Sequence, residues 1–199
     1  MPNKFIYAFI GPSGSGKTTI VQASFPKDRE LLSFTTRARR PREIDKYDYY
    51  FIGPRTPELT VQLKTKLATG ELIECIEYDN EFYGYAVSEI KRKFKNQSVA
   101  KVMTKEGYEH IMASDFAKYV VPVYVSTDKP TVAQYLRNRQ DNEEIVQRRL
   151  ALYDLESANE VWFDALPTDR KIKLFNNGDL NDTLSQFSQA RKILETTTD

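Results

Sequence analysis

The run Gly11-Pro-Ser-Gly-Ser-Gly16-Lys17-Thr18 fits the pattern G-x-x-x-x-G-K-[ST] at every fixed position. Phe5 to Ile10 (FIYAFI) ahead of it is an apolar run of strand length, and Thr18 to Phe25 behind it can continue as a helix. Strand, glycine loop and helix in that order aim consecutive backbone N–H groups and a helix N-terminus at one point. That point binds phosphate, because the amides are unpaired donors and the helix dipole is positive there. The expected phosphate site therefore comprises Gly11, Pro12, Ser13, Gly14, Ser15, Gly16, Lys17, Thr18 and Thr19. In this pattern Lys17 reaches the β- and γ-phosphates of a nucleotide, and the Thr18 hydroxyl coordinates Mg²⁺.

Strand-like and helix-like segments alternate along the remainder, which predicts an α/β fold with a mostly parallel sheet. Further strands are expected at Glu30–Phe34, Ser98–Thr104, Tyr119–Ser126 and Lys171–Phe175, with Pro122 weakening the centre of the third. Helices are expected at Glu58–Thr69, Ser88–Lys95, Pro130–Arg139, Glu143–Leu166 and Leu180–Leu194. Thr35 to Tyr85 breaks the alternation with short extended pieces (YDYYF, ELIECIEY, EFYGY) around one helix, as a small antiparallel insertion beside the main sheet would. Asn138 to Glu144 is a polar hinge between helices bearing Arg137/Arg139 and Arg148/Arg149, the make-up of a lid that closes over phosphates.

At 199 residues the chain is long enough for one domain with a sizeable core. Its 29 Lys plus Arg against 28 Asp plus Glu leave a net charge of +1, so no global field points to nucleic acid or an anionic membrane as partner. The single Cys75 cannot form an internal disulfide, which favours a reducing compartment, and lies in an apolar strand as a packed small residue. The single His110 argues against a His-based metal site or a Ser-His-Asp triad. The apolar start is too short for a signal peptide, and no stretch approaches a membrane span. The expectation is a soluble, cytoplasmic protein, monomer or homodimer.

The segment Ser33-Phe-Thr-Thr-Arg37-Ala-Arg39-Arg40-Pro-Arg42-Glu43 holds four arginines in six residues. A tyrosine cluster (Asp48-Tyr49-Tyr50-Phe51) follows, then Glu74 and Glu77 in a strand, then Tyr83-Gly84. Arginine forks bind phosphate bidentately and tyrosine hydroxyls add donors, so a second phosphate site facing the first is expected. Such a pair describes phosphoryl transfer to a phosphorylated acceptor.

With GPSGSGKTT, SFTTR…PRE…DYYF, LIECIEYDNEFYG, LRNRQDNEEIVQRRL and NNGDL in this order, the chain resembles the guanylate kinase family over nearly its whole length. The resemblance implies a P-loop three-layer fold with a parallel central sheet, a small antiparallel nucleoside-monophosphate-binding insertion and a helical lid. The corresponding divisions are a core of 1–32, 97–127 and 150–199, an insertion at 33–96 and a lid at 128–149. It also implies ATP as donor, GMP or dGMP as acceptor, and Mg²⁺ with the ATP. Arg37, Tyr49 and Tyr83 match positions that hold the acceptor phosphate, and Ser33 and Glu74 match positions that read the guanine edge. Arg139 and Arg149 match lid arginines that close on the transferred phosphate, and Asn176 matches a position near the donor adenine.

This sequence departs from the family pattern in places. Ala38, Arg39 and Arg40 stand before Pro41-Arg42, where the family usually has one residue between the two arginine motifs. A gapless count back from Tyr49 puts Arg40 at the phosphate-contacting position, and matching the Pro-Arg dipeptide puts Arg42 there; the gapless count also aligns Glu43 and Asp48. Tyr85 replaces a Ser or Thr that usually contacts the guanine carbonyl. A family D-x-D-x-x-G stretch appears as Val102-Met-Thr104-Lys-Glu-Gly107, so Thr104 stands for one of two lost acids, and Tyr135 stands where a lid arginine is common. These changes leave open a kinase for another monophosphate, or a binding module without chemistry.

Overall fold

Ile6, Ala8 and Ile10 point to one side of the first strand and Tyr7 and Phe9 to the other, and all five are buried, so that strand must be covered on both faces. The computed structural model, which describes residues 3–78, 80–138 and 142–197, shows how. The first half contains β1 (Ile6–Ile10), α1 (Lys17–Ser24), β2 (Phe34–Thr35), β3 (Tyr50–Phe51), α2 (Pro57–Ala68), β4 (Leu72–Tyr78), β5 (Glu81–Ala86) and α3 (Val87–Lys93). The second contains β6 (Val99–Val102), α4 (Lys105–Met112), β7 (Val120–Ser126), α5 (Lys129–Asn138), α6 (Glu143–Ser157), α7 (Asn159–Asp164), β8 (Ile172–Phe175) and α8 (Leu180–Thr196).

A parallel sheet runs in the order β6-β1-β7-β8. On one face Tyr7 and Phe9 pack with Ile20 and Val21 of α1 and Phe187 of α8. On the other, Ile6, Ala8 and Ile10 pack with Ile90 of α3, Ile111 of α4 and Phe163 of α7. The result is the expected three-layer α/β arrangement. Pro122 does not break β7, because the ladder to β8 opens one residue later at Val123 and forfeits no bond there.

The second sheet, ordered β3-β2-β5-β4, is antiparallel apart from the parallel β2–β3 pair, so the expected antiparallel insertion is a mixed sheet. Phe34, Leu63, Leu72 and Phe82 give it its own small core under α2. The strand expected over Glu30–Phe34 is divided between the two sheets. Glu30 bridges Ala100 beside β6 and Leu31 N donates to Ala100 O at 2.9 Å, whereas Phe34 and Thr35 pair with β3 and β5. That crossing holds the base of the insertion against the core.

The helix expected over Glu143–Leu166 is two helices, α6 and α7, meeting at Ala158. Val132 and Leu136 of α5 bury against Val146 of α6. α4 was not expected from the sequence, because Gly107 in its first turn masks the helical spacing of Tyr108, Ile111 and Met112. Among the described residues no helix is long and apolar enough to cross a membrane.

Phe187 is the keystone of the α8 face, with its ring centre 5.4 Å from Tyr7, 5.2 Å from Phe9 and 5.7 Å from Phe25. Phe187→Ala is expected to cost about 3–5 kcal/mol, read as a lower urea midpoint at unchanged slope; a loss under about 1 kcal/mol would mean the site collapses freely.

Candidate active site

The phosphate loop is held from below by two buried side chains. The Ser15 carbonyl accepts from Asn176 Nδ2 at 2.8 Å and from Thr127 Oγ1 at 3.1 Å, the residues that directly follow the C-terminal ends of the parallel strands β8 and β7. Gly16 at the N-terminus of α1 has φ 90°, and a Cβ there would collide with the Asn176 amide, so glycine is required on both conformational and steric grounds. Asn176 Oδ1 accepts in turn from Thr183 Oγ1 at 3.0 Å. The side chain expected near the donor base thus spends its amide on the loop, and Tyr135 of α5 donates to the Asn176 and Gly178 carbonyls at 3.3 and 3.4 Å.

Lys17 folds back within the loop, its Nζ 2.7 Å from the Gly11 carbonyl and 2.6 Å from that of Pro12. Burial lowers its pKa to about 8; Glu156 raises it and Arg149 lowers it further, so all three charges converge here. The Ser13 N–H donates to Glu156 Oε2 at 2.5 Å. The loop amide thus binds an anionic oxygen, as an N–H at a helix N-terminal loop can. Nothing in the spacing of α6 marked Glu156 for this contact. Arg149, on the same helix, lines the cleft with its Nε buried and, among the described residues, without a hydrogen-bond partner. A buried donor of that kind calls for an acceptor.

From the loop a cleft of about 1020 Å³ runs to the second sheet. Gly11, Ser13, Gly14, Gly16, Lys17, Thr18, Thr19 and Asn176 line one end; Ser33, Arg37, Arg40, Tyr49, Glu74, Tyr83 and Thr104 line the other. Pro12 and Ser15 are buried beneath the loop. Arg37 is pinned by a bidentate pair to Glu43 at 3.0 and 2.7 Å, and its guanidinium lies 5.6 Å from the Tyr49 ring centre. Glu43 also accepts from Arg40 N at 2.8 Å, so one carboxylate orders both arginines, and the Arg37 guanidinium holds it below the usual carboxylate range. Burial pushes the Tyr49 phenol up, which keeps it a donor.

Glu74 is 5 % exposed. Its Oε1 accepts from Thr104 Oγ1 at 2.6 Å and sits 3.4 Å from Thr104 N, at the N-terminus of α4. Thr104 caps that helix by accepting from Gly107 N at 3.0 Å, and a Cβ at Gly107 would collide with the Glu74 carboxylate. Burial pushes the Glu74 carboxyl up, and the Thr104 hydrogen bonds with the Lys101 ammonium oppose that push.

Other expected residues stand elsewhere. Tyr85 shares the β5 face of Tyr83, but two residues further along the strand it has passed under the cleft floor. Its ring is fully buried and its hydroxyl lies 3.9 Å from Met103 Sδ, so the expectation that it touches the acceptor is corrected. Arg42 is exposed and does not line the cleft, whereas Arg40 does. Glu77 is on the opposite face of β4 from Glu74, paired to Arg55 at 2.6 Å. Arg139 lies outside the described residues.

The guanylate kinase family profile matches residues 4–191. The chain belongs to the guanylate kinase family. It is 27% identical over 197 residues to a guanylate kinase of Mycoplasmoides gallisepticum, covering 95% of this chain and 93% of that one. It is 30% identical over 161 residues to the Homo sapiens guanylate kinase, covering 75% and 77%. The crystal structure of guanylate kinase from Anaplasma phagocytophilum superposes with a TM-score of 0.63 at 22% identity, over 99% of this chain and 88% of that one, which speaks to the fold. The protein is a guanylate kinase-like enzyme.

Family membership implies phosphoryl transfer with a divalent cation. Among the described residues no three His, Cys, Asp or Glu side chains are grouped to hold one. Thr18 is exposed and lines the cleft, and its hydroxyl is a hard oxygen of the kind that suits such a cation.

The Lys17 geometry predicts a pH dependence for ATP. Its pKa of about 8 rises when a phosphate binds, so binding takes up a proton above that pH. Affinity should be full below about pH 8 and then fall by up to about tenfold per unit as pH rises, in a range where phosphate itself no longer titrates. Calorimetric titration with ATP in buffers of different ionisation heat measures both; flat affinity and no proton uptake would contradict it.

Proposed function

We propose that this protein transfers the γ-phosphoryl group of ATP to GMP or dGMP, giving ADP and GDP or dGDP, with Mg²⁺ accompanying the ATP. The observation that carries the reading is the buried Glu74 carboxylate, which with Ser33 lines the same cleft as the phosphate loop. Guanine presents N1–H and N2–H₂ side by side, and a carboxylate accepts both. Adenine N1 presents a lone pair to the same oxygen and is repelled. Arg37, Arg40, Tyr49 and Tyr83 would hold the acceptor phosphate between that base corner and the loop.

The acceptor's own phosphate oxygen is the nucleophile, so the protein contributes position and charge. In this reading Lys17, Arg40, Arg149 and, from the lid, Arg139 cancel charge on the moving phosphoryl group. Thr18 would hold the cation, which neutralises the donor phosphates. Residues 33–96 and 128–149 are the units that close, shutting out water that would otherwise hydrolyse ATP. Thr104 replaces a family acid but still bonds Glu74, which keeps the base-reading carboxylate in place. The residue that left another monophosphate open, Tyr85, is outside the cleft. Intact Lys17 and Thr18 speak for chemistry over a pure binding module. A net charge of +1 and a lone half-buried Cys75 accord with a cytoplasmic enzyme without nucleic-acid or membrane partners.

Glu74→Gln tests the reading. A neutral amide accepts from guanine less strongly and can donate to adenine N1, so the preference for GMP over AMP in kcat/KM should drop by about 10²-fold. The KM for ATP should stay put. An unchanged preference would mean that Glu74 does not read the base.

A further inference from the structure

The base corner contains a polar group that no motif singles out. Lys101 is in the middle of β6, on the face it shares with the core residues Val99 and Met103, and is buried. Its Nζ donates to the Leu31 carbonyl at 3.0 Å and to Ser33 Oγ at 2.5 Å, and lies 5.0 Å from the Tyr85 ring centre. An ammonium in the interior of a sheet is costly unless its donors are used, and an apolar side chain would fill the place without that cost. Two of its partners bear on the acceptor site. Ser33 lines the cleft, and Glu74 interacts with Lys101 through space.

An ammonium donates and never accepts. The Ser33 hydroxyl, accepting from Lys101, therefore cannot turn its proton back toward the lysine. We propose that Lys101 is a positioning residue for base selection: it turns the Ser33 proton toward the cleft and, by its charge, keeps Glu74 acceptor-only, so that the corner presents a donor next to an acceptor. Guanine, with O6 beside N1–H and N2–H₂, complements that order; adenine, with N6–H₂ beside a bare N1, opposes it at both positions. The inference rests on the reading of Ser33 and Glu74 as the base site.

Charges around Lys101 come from every side. Burial lowers its pKa to about 8, Glu74, Glu30 and Glu89 raise it, and Lys93 lowers it. Glu74 is faced by Lys101, Thr104 and His110. Lys101 is charged below about pH 8, so its influence is present there and is lost as pH rises.

The experiment measures kcat/KM for GMP and for AMP at saturating ATP in the unmodified protein, Lys101→Met and Lys101→Gln, with melting curves as the check of folding. The GMP-to-AMP ratio should fall about tenfold in both variants, through the KM of the nucleoside monophosphate, with the KM for ATP within about twofold. In a Ser33→Ala background Lys101→Met should change the ratio less than it does alone, since the hydroxyl it orients is gone and only its charge on Glu74 is left to lose. In the unmodified protein the ratio should fall as pH is raised through about 8, which decides the matter even if neither variant folds. A GMP-preferring protein whose ratio withstands both the folded variants and the pH series overturns the role of Lys101 alone. A protein that shows no GMP preference before mutation overturns the base-site reading and this inference with it.

Discussion

The Glu74 carboxylate belongs to a strand of the second sheet, yet its hydrogen-bond partner, Thr104, caps a helix that packs on the first. A buried carboxylate left without partners would cost several kcal/mol or take up a proton. The Thr104–Glu74 bond therefore does two things at once. It fastens the insertion to the core, and it fixes an acceptor at the inner end of the cleft. Gly107 makes room for it, and the α4 dipole favours the negative charge. The split of residues 30–35 between the sheets, with Ser33 directly before β2, brings a hydroxyl to the same cleft.

The rest of the cleft follows the same rule of holding charged groups before any ligand arrives. Glu43 orders Arg37 and the Arg40 backbone, loop carbonyls hold Lys17, and Glu156 sits on a loop amide. Side chains already ordered lose less entropy when a phosphate displaces their partners. Glu43, Glu74, Glu106 and Glu156 line the cleft against Lys17, Arg37, Arg40, Lys105 and Arg149, so the acids offset most of its positive charge.

Much of this was legible in the sequence. The glycine pattern and its flanks specify a strand, loop and helix, an α/β fold with a mostly parallel sheet follows from the alternation of apolar runs, and the three-layer arrangement is what the family resemblance implies. Helix ends at Pro57, Lys129 and Leu180 lay within a residue or so of expectation, because proline, polar caps and spacing coincide there. What escaped was set by contacts distant in sequence. Pattern gave no sign that Tyr85 turns under the cleft floor, since Tyr83 on the same face does not. The role of Asn176 in clamping the loop needs a residue 161 positions away. α4 was hidden by a glycine that serves Glu74 and not the helix. Nothing in the pattern of its short strand singles out Lys101.

The central claim is that this corner selects guanine, and the most direct measurement is an ATP-coupled assay of the unmodified protein with GMP, dGMP, AMP, CMP and UMP side by side. A guanine nucleotide should be the best acceptor, with AMP, CMP and UMP lower in kcat/KM by at least about 10²-fold. Phosphorylation of AMP as efficient as that of GMP would contradict the account, because a buried carboxylate at that position cannot serve both bases equally.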